Sequence, residues 1–156
     1  SIGQGEVLVT PLQLANQDAM IANKGYFNTP HLNQTDAMRM HRPQTHIDSS
    51  YFSVVQEGMH RVMTNVTGRW YQVPGVESAG KTGTAQNPHG KDHAIFIGSA
   101  PLENPQIAVA VVVENAGFGS TWAAPVASMM VEQYLSGSVS RKDLRKRIST
   151  EVLMPQ

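Results

Sequence analysis

Seven consecutive apolar residues, Ile107-Ala108-Val109-Ala110-Val111-Val112-Val113, constrain this chain more than any other feature. The run is far shorter than the roughly 20 residues a bilayer span takes, and its β-branched content favours a strand. A strand with one wet face alternates polar and apolar residues. Uniform apolarity therefore predicts a central strand with something covering each side of the sheet. Two further strand-like runs precede it, Glu77 to Gln86 and His93 to Ser99, bounded by Asn87-Pro88-His89-Gly90 and Pro101-Leu102-Glu103-Asn104-Pro105. Connections this short cannot cross over between parallel strands, so the three runs read as an antiparallel meander.

Helices are expected around that sheet. Thr10-Pro11-Leu12-Gln13 combines an N-cap threonine, a proline at the first helical position and a glutamine three residues after the cap, which together start a helix. Leu12, Ala15, Ala19 and Ala22 follow at helical spacing and Gly25 stops it, giving a helix over 11–24. Residues 27–45, with Pro30 and Pro43, have no clean period and read as loop with short strands at most. Asp48, Ser49 or Ser50 caps a second helix, with Phe52, Val55, Met59, Val62 and Met63 on one side and Gly68 beyond its end. Ser120 or Thr121 begins a third, in whose first turn Pro125 is tolerated; Ala127, Met130 and Tyr134 form its inward stripe and Gly137 ends it. Residues 141–147, with Leu144, Ile148 and Val152 at fourfold spacing, suit a basic amphipathic helix. A solvated charged face is preferred there over a membrane-surface role. The fold class is α+β: an antiparallel sheet with helices packed on it.

Composition sets the outer limits. A chain of 156 residues fits one ordinary domain. Its 12 basic and 12 acidic groups cancel, so no overall field draws it to nucleic acid or an anionic membrane, and no nucleic-acid partner is expected. The balance hides an asymmetry, since residues 141–156 hold five of the basic and only two of the acidic groups. The absence of cysteine removes disulfide scaffolds, thiolate zinc sites and cysteine nucleophiles. The chain opens on Ser1 with no basic-then-apolar leader, and is expected to be a piece of a longer protein whose targeting information lies upstream.

Gly75-Val76-Glu77-Ser78-Ala79-Gly80-Lys81-Thr82 matches the phosphate-loop spelling G-x-x-x-x-G-K-[ST]. That loop works only where it follows a strand and opens a helix whose first amides cradle phosphates. Here Gly83-Thr84-Ala85-Gln86-Asn87-Pro88 follows, which no helix would choose, and Pro74 disrupts any strand before the loop. A nucleotide-binding protein is thus the third reading.

Lys81-Thr82-Gly83-Thr84 carries a second pattern, on a strand. An edge strand offers unpaired backbone groups to which a peptide can add as a further strand, and Gly83, lacking a β-carbon, lets another backbone come close. Lys81 supplies a cation, and Thr82 and Thr84 supply hydroxyl donors, a set suited to a carboxylate. On a strand Thr82 and Thr84 share a face and Lys81 takes the opposite one unless twist brings its stem round. As a bare tripeptide, K-T-G is common and also fits an exposed turn.

The surroundings sharpen it. Ser1-Ile2-Gly3-Gln4-Gly5, Thr10-Pro11-Leu12-Gln13-Leu14-Ala15, Gly80-Lys81-Thr82-Gly83-Thr84-Ala85-Gln86, His93-Ala94-Ile95-Phe96-Ile97-Gly98, Val113-Glu114-Asn115 and Ala123-Ala124-Pro125 occur in this order. Together they resemble the C-terminal part of a class B penicillin-binding protein transpeptidase domain, in which K-T-G is a signature element. The Asn87 to Gly90 turn and Gly117-Phe118-Gly119-Ser120 make it most similar to the elongation-type penicillin-binding protein 2 branch. The resemblance covers residues 1–137, an incomplete transpeptidase domain, and leaves 138–156 as a basic C-terminal tail.

The resemblance implies a part of the penicillin-binding, β-lactamase-like transpeptidase fold, an α/β/α-like sandwich, in an enzyme that cross-links peptidoglycan by serine acyl transfer. It implies catalytic roles for Lys81 and Thr84, substrate binding by Lys81, Thr82, Gly83 and Thr84, and an oxyanion donor in the Thr84 amide. It implies no cofactor. The implied partners are peptidoglycan stem peptides, β-lactam antibiotics, the missing N-terminal part of the same domain and a membrane glycan polymerase of the elongation machinery that sets cell shape. The implied location is the periplasmic face of the inner membrane, with the anchor upstream.

The family also needs S-x-x-K, carrying the nucleophile, and S-x-N. The only literal S-x-x-K is Ser78-Ala79-Gly80-Lys81, on a strand, whereas the working pair needs a helical turn, and S-x-N does not occur. The chain alone is therefore expected to be inert, and a non-catalytic β-lactam or peptide sensor on the same fold is the alternative. His89 and His93 share i, i+4 spacing but stand on a turn, and with no thiolate beside them no metal site is expected. His31, His41, His46 and His60 are read as surface or supporting residues. Trp70-Tyr71 is read as packing against the sheet rather than stacking a ligand, and Met59, Met63, Met129 and Met130 as core filler.

Overall fold

The computed structural model describes residues 4–31 and 42–150. The first helix, α1 (Pro11–Ala22), begins as its capping signal requires. Thr10 Oγ1 accepts from the Gln13 amide at 3.3 Å and Gln13 Oε1 accepts from the Thr10 amide at 2.8 Å, so two of the amides left over at a helix start find acceptors. Of the loop expected over 27–45, residues 32–41 lie outside the described residues; Tyr26 and Gln44 form an isolated antiparallel bridge. Asp48 then caps α2 (Ser49–Asn65), its Oδ1 accepting from the Ser50 amide at 2.9 Å. Phe52, Met59 and Met63 are its buried residues, while Val55 is 45% exposed and stands off the core. A short 3-10 turn, Arg69–Tyr71, leads to the sheet.

Three strands, β1 (Ala79–Ala85), β2 (His93–Ala100) and β3 (Ile107–Val113), pair antiparallel in the order β1-β2-β3. The expected meander is present. The expected central place of β3 is not, because β2 is the middle strand and β3 an edge among the described residues. The expected cover on each side is present: α1 and the helix α3 (Ala123–Ser136) both pack on β3 as well as on β2. That cover accounts for apolar residues at both parities of the strand.

Register divides the sheet into two faces. Thr82, Phe96 and Val111 lie opposite one another in successive strands, as do Thr84, Ala94 and Val113. On that face Phe96, Val109 and Val111 join Ala123, Ala124, Ala127 and Val131 of α3, together with Met63 and Val73, in one core. Gly80 and Gly98 make room for the Phe96 ring, since a β-carbon at 80 would stand 2.4 Å from its Cζ. On the other face Asp18 of α1 lies beside Ser99, fully buried.

The stripe expected on α3 is corrected by a rotation of about one residue around the helix. Ala127 is buried, but Met130 and Tyr134 are 48% and 61% exposed; Ala123, Ala124, Ala127, Ser128 and Val131 face the sheet instead. Small residues bring α3 close to the sheet, and close approach leaves the long side chains outside. Gly137 ends α3 in the left-handed conformation, φ 74°. The basic stretch does form a helix, α4 (Lys142–Thr150), with no buried residue, and its partner position Val152 lies outside the described residues. Two arginines tie this region down. Arg141 is bonded to Glu132, and Arg147 donates to Thr121 O at 3.1 Å with its guanidinium over the Trp122 ring.

Candidate active site at the free edge of β1

Strand β1 has β2 on one side and no strand on the other among the described residues. Which of its backbone groups face outward follows from two contacts and the alternation of the strand. In an antiparallel ladder the amide and carbonyl of one residue point the same way, and successive residues alternate. Lys81 Nζ donates to Thr82 O at 2.6 Å, and the Gln86 amide donates to Gln4 Oε1 at 2.7 Å, so both groups are free of the ladder. Gly83 has the opposite parity, so its amide and carbonyl turn toward Ile95 of β2. Thr82, Thr84 and Gln86 therefore share the free edge, and the Thr84 amide points out of the sheet.

The side chains divide by the same parity. Thr82 and Thr84 lie on the face of Phe96 and Ala94, at its open margin, while Lys81 is exposed on the opposite face and curls its amine back over the edge. The Thr82 hydroxyl stands 3.0 Å from that of Thr67, and Thr84 Oγ1 accepts from the Gly119 amide at 3.5 Å. A hydroxyl that accepts still has its own proton to give. One short stretch of strand thus presents a cation, two hydroxyls and an outward amide, which is chemistry for an anionic group beside a carbonyl oxygen.

The sequence singled out the four residues of this strand as candidates but not what surrounds them. Thr67 and Gly119 come from distant parts of the chain. For Gly119 a signal existed in the paired glycines 117 and 119; for Thr67 none did. Two large concavities lie away from this edge, around α1 and along the outer side of α3, and the edge itself forms one wall.

Other candidates fall into place. No helix follows Thr82, which lies inside β1, so the phosphate-loop reading is excluded by geometry. Ser78 and Lys81 are three residues apart along extended chain, roughly 10 Å, and do not form an activated pair. His89 is exposed, and His93 Nδ1 is occupied by the Asn115 amide at 3.1 Å. His60 Nδ1 lies 3.0 Å from Ser78 O, a supporting contact between α2 and the strand. The packing reading of Trp70-Tyr71 holds for Tyr71, which lies against the core, and fails for Trp70, which is 73% exposed with the Arg69 guanidinium 4.4 Å over its ring. Met59 and Met63 are core; Met130 is not.

The chain is similar in sequence and fold to known proteins. The sequence model of the penicillin binding protein transpeptidase domain matches residues 1–132. The peptidoglycan D,D-transpeptidase MrdA of Haemophilus influenzae is 35% identical over 86% of this chain and 25% of its own length. Penicillin-binding protein 2 of Pseudomonas aeruginosa, solved with WCK 5153, superimposes with a TM-score of 0.75 at 37% identity, over 90% of this chain and 33% of that one. The penicillin G acyl-enzyme of Mycobacterium tuberculosis penicillin-binding protein A gives 0.68 at 31% identity, over 86% and 34%. Helicobacter pylori PBP2, solved with MreC, gives 0.73 at 27%, over 85% and 26%. The chain spans about a quarter of the length of the curated relatives it matches. With the domain model covering most of its residues and its sheet and helices superimposing on solved members, this chain belongs to the penicillin-binding protein transpeptidase family.

Proposed function

We propose that this chain is the K-T-G wall of a serine D,D-transpeptidase that cross-links peptidoglycan stem peptides and is acylated by β-lactams. The observation that carries the reading is the free edge of β1, where Thr82 and Thr84 share one margin and the Thr84 amide points outward. A stem peptide laid along that edge would add to the sheet as a strand. Its terminal carboxylate would meet the two hydroxyls and the Lys81 amine, and its scissile carbonyl oxygen would lie toward the Thr84 amide.

In the reaction a serine outside this chain attacks the carbonyl between the two terminal D-alanines. A C–O bond forms, the C–N bond breaks, and the serine proton passes by way of a base to the departing D-alanine amine. An amine of a neighbouring stem then takes the acyl group and releases the serine. The Thr84 amide would stabilise the oxyanion of both steps, a contribution on the order of 3 kcal/mol for such a donor. A β-lactam carries a carboxylate beside a strained amide and would use the same groups. The penicillin G acyl-enzyme of the M. tuberculosis relative supports this, and the transpeptidase names of the relatives favour a synthase over a sensor.

The family match ends at residue 132, which supports placing the transpeptidase portion in residues 1–137 and treating 138–156 as an appended basic tail. The remainder of the domain would supply the nucleophile. The parent would act outside the cytoplasm, where peptidoglycan is, held by an upstream anchor and working beside a glycan polymerase. The H. pylori PBP2–MreC complex supports a setting in the elongation machinery. Labelling the parent with a fluorescent penicillin tests the reading: labelling should be lost on Lys81→Ala and sharply reduced on Thr82→Val, and undiminished labelling of both would exclude these residues from the site.

A further inference from the structure

Between β3 and α3 the chain turns through residues 114–122, and Gly119 of that turn rests on β1. A β-carbon at 119 would fall 2.2 Å from Gly83 O and 2.3 Å from Ile95 O, so the approach is open to glycine alone. From there its amide faces Thr84 Oγ1 at 3.5 Å. The start of the turn is held from the other side by the β1–β2 connection. Asn115, in the left-handed conformation with φ 54°, donates its amide to His93 Nδ1 at 3.1 Å. Its Oδ1 accepts from Asn87 Nδ2 at 2.7 Å, and the Gly117 amide donates to Asp92 O at 2.7 Å. A backbone amide can only donate, so His93 offers Nδ1 as the acceptor and carries its ring proton on Nε2.

We propose that His93 is a positioning residue for Thr84: by holding the Asn115 amide, its Nδ1 fixes the 115–119 turn, and with it the Gly119 amide that faces the Thr84 hydroxyl. The route is short and continuous. His93 lies opposite Ala85 in the ladder, one residue beyond Thr84, so the histidine and the threonine sit at the same end of the β1–β2 pair. A left-handed asparagine is tolerated but not preferred, and such a residue persists where its surroundings hold it. An apolar side chain at 93 would leave the part-buried Asn115 amide without an acceptor, a strain the turn relieves by moving. Movement of the turn lifts Gly119 from Gly83 and frees the Thr84 hydroxyl to rotate away from the edge.

The inference rests on the reading of Thr84 as a ligand-binding residue, and one experiment separates the two. In the full-length parent, the second-order rate of acylation by a penicillin and the melting temperature are measured for His93→Asn, His93→Leu, Thr84→Val and the His93→Leu/Thr84→Val double variant. Asparagine carries its Oδ1 close to where Nδ1 lies and can accept the same bond, so His93→Asn should stay within about threefold of the parent, while His93→Leu falls roughly tenfold. The double variant should be no slower than Thr84→Val alone, because the histidine acts through that hydroxyl. Equal losses for His93→Asn and His93→Leu, or multiplied losses in the double variant, would overturn the inference. An unchanged rate for Thr84→Val would instead overturn the site reading beneath it. If His93→Leu does not fold, Asn87→Ala removes the other hold on Asn115, and its loss of rate must likewise vanish in the Thr84→Val background; persistence there would refute the proposal.

Discussion

The free edge at Lys81–Thr84 and the joint at Glu132–Arg141 are both polar, yet they are built to opposite ends. At the joint everything is saturated. Glu132 is 3% exposed and accepts from the Ser140 amide and hydroxyl and from Arg141 Nε, while the rest of the Arg141 guanidinium donates to the carbonyls of Tyr71, Gln72 and Ser128. Burial alone would raise the Glu132 pKa, but these bonds outweigh it and hold the carboxyl below its usual range. At the free edge Lys81 is exposed, both threonine hydroxyls have spare capacity, and the Thr84 amide points away from the sheet. Saturated and buried polar groups fasten structure; open and unsaturated ones wait for a ligand.

The largest expected effect separates the free edge from complete chemistry. The chain alone, incubated with a labelled penicillin, should acquire no acyl mass, because Ser78 and Lys81 stand along extended chain and no other serine is followed by a lysine three residues later. Mass spectrometry checks this, and an acyl adduct on any serine would mean that the wall contains a nucleophile after all.

At the joint, Arg141→Met should cost about 3–5 kcal/mol of stability, the usual cost of leaving a buried carboxylate without its cation. Denaturant unfolding measures it. A loss below about 1 kcal/mol would place the pair among ordinary surface bridges and erase its contrast with the free edge. The pH dependence should follow in sign. A carboxyl held low in the folded state stabilises above its unfolded pKa, so the Glu132 contribution fades as the pH falls below about 4.5, the ordinary value for the group.

Asp18 breaks the simple contrast, being buried and yet unsaturated. Neither carboxyl oxygen has a partner of hydrogen-bonding geometry, and burial pushes its pKa from 3.8 up to about 7, a rise that nearby Ser99 only moderates. A raised acid binds its proton more tightly in the folded state. Its contribution is therefore complete below about pH 4 and is lost as the pH rises through about 7, an effect of up to about 4 kcal/mol. Asp18→Asn should flatten the stability profile between pH 4 and 8 and raise the midpoint of unfolding at pH 8. A profile identical to that of the unmodified chain would show that Asp18 is not held protonated.

Much of this was legible in the sequence, for local reasons. Thr10-Pro11-Leu12-Gln13 specifies its own helix start through atoms three residues apart, and the short turns around β2 specify antiparallel pairing through their length. The K-T-G residues stood out by a spelling and surroundings that resemble a transpeptidase signature, and strand alternation then placed Thr82 and Thr84 on one face. What escaped depends on distance in the chain. The order of the described strands, the outward turn of Met130 and Tyr134, and the burial of Asp18 are set by contacts between segments distant in the chain. The bond from Gly119 to Thr84 spans 35 residues and that from Arg141 to Tyr71 spans 70, and no periodicity reports on either.

The smallest expected effect tests the free edge itself. Replacing Thr84 by Val in the parent keeps the β-branched shape that suits a strand and removes one hydroxyl. The hydroxyl's contact within the fold is a single bond at 3.5 Å from the Gly119 amide, at the limit of such a contact, so the melting temperature should move little. Its proposed bond to a ligand carboxylate is of the charged kind, and losing it should slow acylation roughly tenfold to a hundredfold, about 1.5–3 kcal/mol. The amide of position 84 survives, so the oxyanion donor remains and activity should fall without vanishing. Thr84→Ser restores the hydroxyl without the methyl group and should recover most of the rate. A Thr84→Val protein acylated at the parental rate would show that the threonine hydroxyl serves the Gly119 turn alone, and the ligand contacts of the edge would then reduce to Lys81, Thr82 and the backbone between them.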